Sequence, residues 1–410
     1  MSKMIAIKVK SFPQVSETFV VSSIVFALKN KFKVHLYVSK YRGVNNSSQA
    51  DILRQYNIEK NIEKPFSLSK NKLIRWCQLA YMALHPRILP YVFTYYKNKS
   101  KRDTKPLLEL YQYRHFKKNA LCHVHFNNAL HPLPKLAEIG YITPKVIVTF
   151  HGYDVFLETA ESFQAKYGAF YKKYVKAVTV NSNYLKQAVL NLGVEEQLIK
   201  VVPIGFDGNV FNGTPKTINS QQQIEIITVG RLVQLKGHLY GLWTIKRLKD
   251  QGNKVHYTIV GEGAERAKLK NETKSLGLEE QVTFAGASSQ EQVKSFMEKS
   301  HIFLMTSTYD DLSGRREAFG LVSIEAQAMG LPVVGFKSGG FPDTIVEGKT
   351  GFAVEDRNDK ALTDKILQLL ENPNVYQTMS KAAIHHSAAF GQKFTTQQYL
   401  NLYEELLKIS

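Results

Sequence analysis

Short apolar runs that end at a glycine or a polar loop recur through both halves of this 410-residue chain. The clearest of them cover residues 146–150, 224–229, 257–260 and 331–334. Each run has the length of a buried strand, and amphipathic segments with helical spacing alternate with the strands along the chain. This alternation predicts an α/β fold with a parallel sheet in each half, because a helical crossover is the usual connection between parallel strands.

Length and composition favour two domains. A chain of 410 residues exceeds what one core normally supports, and a hydrophobic content of 44% is ample for two cores. Residues 201–223 are rich in turn formers and polar residues, so we expect the hinge there.

Residues 315–352 place two carboxylates, Glu317 and Glu325, on either side of Gly320, which opens a predicted helix. Gly330 and Pro332 should end that helix. The first helical turn presents unpaired amides and the positive end of the helix dipole, a combination that binds anions. Carboxylates accept hydrogen bonds from paired sugar hydroxyls. The segment therefore predicts a site for a sugar joined to a nucleotide diphosphate.

Two further strand-and-glycine segments precede it. After the strand at 224–229, Arg231 and Lys236 follow Gly230, at the edge where an open α/β sheet binds ligands. Two cations suit a diphosphate, although a solvated basic turn explains this segment alone equally well. The strand at 257–260 ends at Gly261 in the same way, and a plain strand-to-helix turn explains it equally well.

The first half carries polar residues at predicted strand ends. The strand at 146–150 leads into a loop with His151 and Asp154. His123 and His125 alternate onto one face of another strand, and we interpret them as packing or site lining. No third ligand stands at a recognisable spacing, so a metal site is not predicted there.

These motifs resemble one known family. The two glutamates at 317 and 325, the strand at 330–334 and the S-G-G-x-P turn at 338–342 are similar to those of the retaining nucleotide-sugar glycosyltransferases of family 4. That family has the GT-B fold, in which two Rossmann-like domains with parallel sheets face each other across a cleft. The resemblance implies residues 1–210 as the acceptor-binding domain, 211–393 as the donor-binding domain, and a final helix at 394–410 packing back on the first domain.

The resemblance also implies roles for individual residues. Glu317 would contact the donor sugar, and Glu325 would hold the ribose hydroxyls. Arg231 and Lys236 would neutralise the leaving diphosphate, which is electrostatic stabilisation of the transition state. The remaining donor-binding candidates are Phe319, Gly320, Leu321 and Gly261.

In the first half, His151 and Asp154 match the family's H-G-x-D loop, where the histidine lies against the donor sugar. Residues 12–19 look like the F-P-x-x-S-E-T-F opening of exopolysaccharide and lipopolysaccharide members. The acceptor-side candidates are Ser16, Glu17, Thr18 and Asp154. Many family members carry a glycine-rich loop at this first position, and this chain lacks it.

No cofactor or metal is expected, because the nucleotide sugar itself is the co-substrate. The chain has no clear D-x-D motif, and Asp310 and Asp311 are adjacent rather than alternating. Cys77 and Cys122 are the only cysteines, which disfavours zinc or a disulfide scaffold and fits a reducing compartment.

The formal net charge of +19 is unevenly placed. Residues 60–118 hold 14 Lys or Arg against Glu63, Asp103 and Glu109. The cations include Lys97, Lys99, Lys101 and Arg102, and the aromatic residues among them are Trp76, Tyr81, Tyr91, Phe93, Tyr95, Tyr96, Tyr111 and Phe116. Basic and aromatic residues together predict a face for anionic lipid. The alternative is a merely basic surface with buried aromatics; nucleic acid is not expected, because no binding motif accompanies the charge.

We expect no signal peptide, and no apolar stretch of the sequence reaches the ~18 residues needed to span a bilayer. The expected location is the cytoplasm, peripheral on the inner face of the membrane. Together with the basic face, the resemblance implies a metal-independent retaining hexosyltransferase that moves a sugar, preferably from a UDP-sugar, to a lipid-linked saccharide during synthesis of capsule, exopolysaccharide or lipopolysaccharide. The alternatives are another GT-B enzyme, such as a sugar phosphorylase or synthase, and a non-catalytic nucleotide-sugar-binding protein at the membrane.

Overall fold

The computed structural model describes residues 3–14, 17–47, 49–96, 103–118, 120–219 and 222–408. Ser16 and the four cations Lys97, Lys99, Lys101 and Arg102 lie outside these ranges. The chain divides into two compact units. The first comprises Met1–Val180, Ala188–Lys200 and Gln398–Ser410, and the second comprises Asn181–Gln187 and Val201–Gln397.

A seven-stranded sheet forms the first unit. Its strands are β1 Met4–Phe12, β2 Lys33–Tyr41, β3 Ile62–Glu63, β4 Leu121–His125, β5 Lys145–Thr149, β6 Val175–Val180 and β7 Ile199–Val201. They lie in the order β3-β2-β1-β4-β5-β6-β7, and the pairs from β3 to β6 are parallel.

Helices connect these strands. They are α1 Thr18–Lys29, α2 Ala50–Gln55, α3 Lys72–Ala83, α4 Leu89–Tyr96, α5 Lys105–Gln112, α6 Leu133–Glu138, α7 Ala160–Phe163, α8 Ala169–Tyr174 and α9 Asn183–Asn191. Apolar residues of α1 recur at helical spacing and pack on one face of the sheet, together with Leu402, Tyr403 and Leu406 near the end of the chain. Leu402, Tyr403 and Leu406 therefore belong to the core of the first unit.

A six-stranded parallel sheet forms the second unit. Its strands are β8 Ile224–Val229, β9 Val255–Val260, β10 Val282–Gly286, β11 Ile302–Met305, β12 Val333–Phe336 and β13 Gly351–Val354. Their order is β10-β9-β8-β11-β12-β13. Ile226 and Ile227 enter apolar clusters on opposite faces, so both faces of this sheet are covered, as parallel sheets require.

The helices of the second half are longer on average than those of the first. They are α10 His238–Asp250, α11 Arg266–Ser275, α12 Gln290–Lys299, α13 Leu321–Ala328, α14 Asp359–Leu370, α15 Pro373–Ser387 and α16 Gln392–Lys408. Two parallel-sheet, Rossmann-like units confirm the predicted α/β fold class.

Strand order fixes where loops can converge. In each sheet the chain first builds strands in one direction and then returns to the other side of the first strand: β4 pairs with β1, and β11 pairs with β8. Ligands of open α/β sheets bind beyond the carboxyl ends of the strands at such a reversal. The loops after β1 and β4 meet there in the first unit, and those after β8 and β11 meet there in the second.

Across the described ranges, no helix combines the length and apolarity needed to cross a membrane.

Candidate functional site

The loops after β8 and β11 are joined by one ion pair. The Lys236 ammonium contacts the Glu317 carboxylate, and each side chain is 17% exposed. Ser307 lies 3.5 Å from the same carboxylate oxygen. Lys236 and Glu317 are 81 residues apart in sequence, and the strand reversal brings them together.

Backbone contacts fix the position of Lys236. Thr306 donates its hydroxyl to the Lys236 carbonyl over 2.9 Å, and the Thr308 amide donates to Leu235 over 3.0 Å. Gly237 has φ 60°, and a Cβ there would stand 2.1 Å from the Thr306 carbonyl oxygen. Only glycine allows the two loops to approach this closely.

A glycine pair holds Glu317 from the other side. The Gly340 amide donates to the Glu317 carbonyl over 2.8 Å. A Cβ on Gly339 would lie 2.0 Å from that same carbonyl oxygen. The S-G-G-x-P turn is therefore the support on which the backbone of Glu317 rests.

Gly320 begins helix α13 from the left-handed region, with φ 90° and ψ 50°. Phe319 is buried, and Leu321 is half-buried. Glu325 lies one turn into α13 and is also half-buried; no described residue pairs with its carboxylate. Burial raises the pKa of Glu325 to about 7. A hydroxyl that donates a hydrogen bond to this carboxylate would stabilise its ionised form.

Arg231 and Gly261 have different surroundings. The Arg231 side chain is exposed and forms no ion pair with any described residue, whereas its carbonyl accepts a hydrogen bond from buried His238 over 3.0 Å. A Cβ on Gly261 would lie 1.9 Å from the Gly230 carbonyl oxygen. Gly261 thus lets the loop after β9 pack against the loop after β8. This contact lies directly beside Arg231.

The sequence does not predict a hydrogen-bonded network that lies beside this site. Arg316 pairs with Asp356 and donates to the Ser338 hydroxyl over 2.7 Å. Asp356 also accepts the Thr308 hydroxyl over 2.6 Å. These contacts join the loops after β11, β12 and β13 directly beside Glu317. The one signal for the Arg316–Asp356 pair is that each residue follows a strand of the same part of the sheet.

In the first unit, His151 lies among rings. Its ring stacks on the ring of Phe19, with 4.3 Å between the ring centroids. The centroid of the Phe126 ring lies 4.4 Å from that of His151. His125 approaches with 3.1 Å between its Nδ1 and Nε2 of His151. Burial lowers the pKa of both imidazoles, so both are neutral near pH 7.

The tautomer of this pair follows from an unpaired atom. Nε2 of His125 is buried and has no partner within the described ranges. A buried N–H without an acceptor is rarer and costlier than an acceptor without a donor. We therefore assign the proton of His125 to Nδ1, from which it donates to Nε2 of His151, and His151 then carries its own proton on Nδ1.

Asp154 is buried and holds the His151 loop. Its carboxylate accepts the amides of Asn127, His151 and Gly152 over 2.9, 3.0 and 3.1 Å. Burial raises the pKa of Asp154 to about 6 against the opposing effect of these hydrogen bonds. Every one of these bonds is internal to the loops after β4 and β5, so Asp154 sets where His151 sits.

The opening segment and His123 complete the first unit. Glu17 accepts a hydrogen bond from Gln14 over 2.5 Å, and burial raises the pKa of Glu17 to about 7. Thr18 is the first residue of α1, and the structure does not describe its side chain. His123 is fully buried, and its ring nitrogens lie 2.6 Å from the Tyr403 and Thr149 hydroxyls, so packing is the reading of the two that fits it.

The described residues bring together no cluster of three His, Cys, Asp or Glu side chains that could hold a metal ion.

Comparison with known proteins finds a family similarity in the second unit. Residues 214–386 match the model of the family described as Glycosyl transferases group 1. This match makes the second unit similar to that family over most of its length. This range contains Arg231, Lys236, Glu317 and Glu325.

Relatives extend the similarity beyond that domain. The amylovoran biosynthesis glycosyltransferase AmsK of Erwinia amylovora is 27% identical over 285 residues, which is 69% of each chain. A solved glycosyltransferase from Rickettsia africae superposes with a TM-score of 0.71 at 22% identity, covering 100% of both chains. HepE of Anabaena, solved in complex with UDP and glucose, superposes with a TM-score of 0.69 at 18% identity, covering 99% of this chain and 100% of HepE. The structural likeness shows the two-domain GT-B fold.

Proposed function

We propose that this protein is a retaining glycosyltransferase of family 4 that moves a sugar from a nucleotide diphosphate, preferably a UDP-sugar, to a lipid-linked saccharide in bacterial cell-surface polysaccharide synthesis. The observation that carries the proposal is the Lys236–Glu317 pair at the strand reversal of the second unit, beside the amino end of α13. The family match over residues 214–386 and the similarity to AmsK support it.

The diphosphate would bind at three positive features. Lys236 and exposed Arg231 supply full charges, and the first amides of α13 supply hydrogen-bond donors at the positive end of the helix dipole. Glu325 would accept the two ribose hydroxyls. The pKa of its carboxyl lies near 7, so these donors and the ionised form of Glu325 stabilise one another.

Glu317 would hold the donor sugar. Its carboxylate is already in contact with Lys236, so a sugar hydroxyl and a phosphate oxygen bound there would each replace part of that ion pair. The Gly339–Gly340 turn fixes the backbone of Glu317 while its side chain exchanges partners.

The reaction would break the bond between the anomeric carbon and the diphosphate oxygen, and the leaving diphosphate would keep the electron pair. The acceptor hydroxyl attacks from the face that the diphosphate leaves, which retains the anomeric configuration, and its proton passes to an oxygen of the leaving phosphate. Arg231 and Lys236 stabilise the charge that develops there. His151, neutral and held by Asp154 and His125, would orient the sugar through its Nδ1–H.

UDP is the preferred nucleotide because HepE, with the same fold, was solved with UDP. A lipid-linked saccharide is the preferred acceptor because residues 60–118 concentrate positive charge in a chain of net charge +19. The proposed location is peripheral, on the inner face of the cytoplasmic membrane, and the proposed reaction uses no metal.

A panel of nucleotide sugars screened by thermal shift identifies the donor, because a ligand that favours the folded protein raises its melting temperature. NMR of the new linkage then tests the stereochemistry. We expect the donor's anomeric configuration in the product; an inverted linkage would refute the retaining mechanism, and no shift with any nucleotide sugar would refute the donor site.

A further inference from the structure

Helix α3 turns its apolar side away from the protein. Residues 73, 76, 77, 80 and 84 recur at the spacing of one helix face, which a helix of a water-soluble domain normally buries. Within Lys72–Ala83, all of which the structure describes, Met82 alone is buried. Leu73 is 77% exposed and Trp76 is 70% exposed. The outward face is therefore the apolar one.

The neighbouring helix α4 repeats this arrangement. Phe93 is 82% exposed, and Leu89, four residues earlier on the same face, is also exposed. Tyr95 of the same helix is buried and contacts Glu109 of α5. Helix α4 is thus anchored on one side and presents apolar side chains on the other.

The exposed face belongs to a well-defined helix. The Asn71 side chain caps α3 by accepting the amides of Leu73 and Ile74 over 2.9 and 3.3 Å. Tyr81 packs edge-on against Tyr111 of α5, with 6.2 Å between ring centroids. The cap and this contact hold α3 in place, so its exposed side chains form a fixed surface.

The positive charge around α3 indicates which kind of partner binds this surface. Lys70 and Lys72 flank the start of α3, are exposed, and make no ion pair with any described residue. Residues 60–118 carry 14 basic against three acidic residues, so a second copy of the chain would be repelled from the same surface. An anionic lipid bilayer offers both negative charge and an apolar interior, and helices with this composition lie in the bilayer interface.

We propose that the apolar faces of α3 and α4 insert into an anionic lipid bilayer, with Trp76 and Phe93 below the headgroups and Lys70 and Lys72 at their level. This inference rests on the proposed peripheral location and specifies how the protein is held there. If cations alone held the protein on the bilayer surface, a high salt concentration would release it completely. Insertion adds a component of binding that salt does not remove.

Trp76 provides the probe. The chain has two tryptophans, and Trp243→Phe leaves Trp76 as the only one. Trp243 lies in the second unit, where it donates to Glu272 over 2.9 Å. With vesicles of phosphatidylcholine and phosphatidylglycerol, we expect the Trp76 emission to shift to shorter wavelength and to be quenched by lipids brominated on their acyl chains. Phosphatidylcholine vesicles alone should give a much smaller effect.

Matched variants separate insertion from electrostatic docking. Leu73→Ser with Leu84→Ser should abolish the vesicle binding that survives ~1 M salt, where the Debye length is about 3 Å. Lys70→Gln with Lys72→Gln should weaken binding at low salt while the bound fraction keeps its quenched Trp76. Val375→Ser, an exposed apolar position of α15, should change nothing. Unchanged melting temperatures show that each variant folds.

Two outcomes overturn the inference. In one, the protein binds anionic vesicles but Trp76 keeps a water-exposed, unquenched emission, so docking is electrostatic only. In the other, the protein forms a dimer in solution that Leu73→Ser with Leu84→Ser dissociates. Neither outcome affects transfer from a nucleotide sugar to a soluble acceptor, which tests the proposed function separately.

Discussion

The Lys236 ammonium lies in contact with the Glu317 carboxylate, a pairing between two loops that leave adjacent strands of the second sheet. A diphosphate that binds Lys236 must compete with Glu317 or share the cation with it. The two side chains are therefore coupled, and their separate roles can be resolved by changing one charge at a time.

Glu317→Gln should separate nucleotide affinity from turnover. Removing the negative charge beside Lys236 leaves the cation free for phosphate, so UDP should bind as tightly as to the parent protein or a few-fold more tightly. Turnover should fall, because the amide holds the donor sugar less strongly than the carboxylate. Titration calorimetry with UDP and initial rates check the two effects; weaker UDP binding in Glu317→Gln would contradict this division of roles.

Glu325 should make stability depend on pH. The pKa of its carboxyl is raised to about 7 in the folded protein, against about 4.3 for an unfolded chain. The folded protein therefore binds this proton more tightly than the unfolded chain does. Its free energy of unfolding should fall as pH rises from about 4.3 to about 7. Glu325→Gln cannot bind that proton. The melting temperature of this variant relative to that of the parent protein should therefore rise between about pH 4.3 and about pH 7 and stay constant at higher pH. An equal difference at pH 4 and pH 7.5 would rule out the raised pKa.

The His125–His151 pair should stay neutral and keep one tautomer. Nitrogen-15 NMR should show His151 protonated on Nδ1 at pH 6, because His125 donates to its Nε2. His125→Phe should lower turnover while leaving UDP affinity in the second unit unchanged, whereas His125→Gln, which can still donate, should retain more activity. A His151 signal of the Nε2–H tautomer would reverse the assignment.

Asp356 should stabilise the loops around Glu317. Asp356→Ala removes the partner of Arg316 and of the Thr308 hydroxyl, and we expect a loss of about 1–3 kcal/mol in the free energy of unfolding. Chemical denaturation measures it. Asp250→Ala, which breaks the exposed Lys246–Asp250 pair on α10, is the control and should cost less than about 1 kcal/mol.

The parallel sheets and the start of α13 could be predicted because short-range pattern determines them. Apolar runs of strand length end at glycines, and Gly320 and Gly330 both take positive φ at the two ends of α13. The sequence identifies the glycine turn at 338–342 as a motif, but the contact of this turn with the Glu317 backbone depends on where β12 places it.

Contacts between distant loops could not be predicted in the same way. The Arg316–Asp356 pair joins segments 40 residues apart, and nothing in their local sequence marks either residue. The sequence leaves open whether the aromatic residues of 60–118 lie on a lipid-binding face or are buried. The aromatic residues of 60–118 divide accordingly: Trp76, Tyr81 and Phe93 are exposed, whereas Tyr95 and Phe116 are buried.

Transfer itself tests the central claim most directly. Labelled sugar from the donor found by thermal shift should enter the lipid-extractable fraction of membranes that contain the acceptor, with release of one nucleoside diphosphate per sugar. Lys236→Ala should slow this transfer by about 10²–10³-fold, or roughly 2.7–4 kcal/mol, whereas Lys246→Ala, which removes an ion-paired lysine of the same unit, should leave it unchanged. Transfer by Lys236→Ala at the rate of the parent protein would contradict the assignment of the Lys236–Glu317 pair as the site of the reaction.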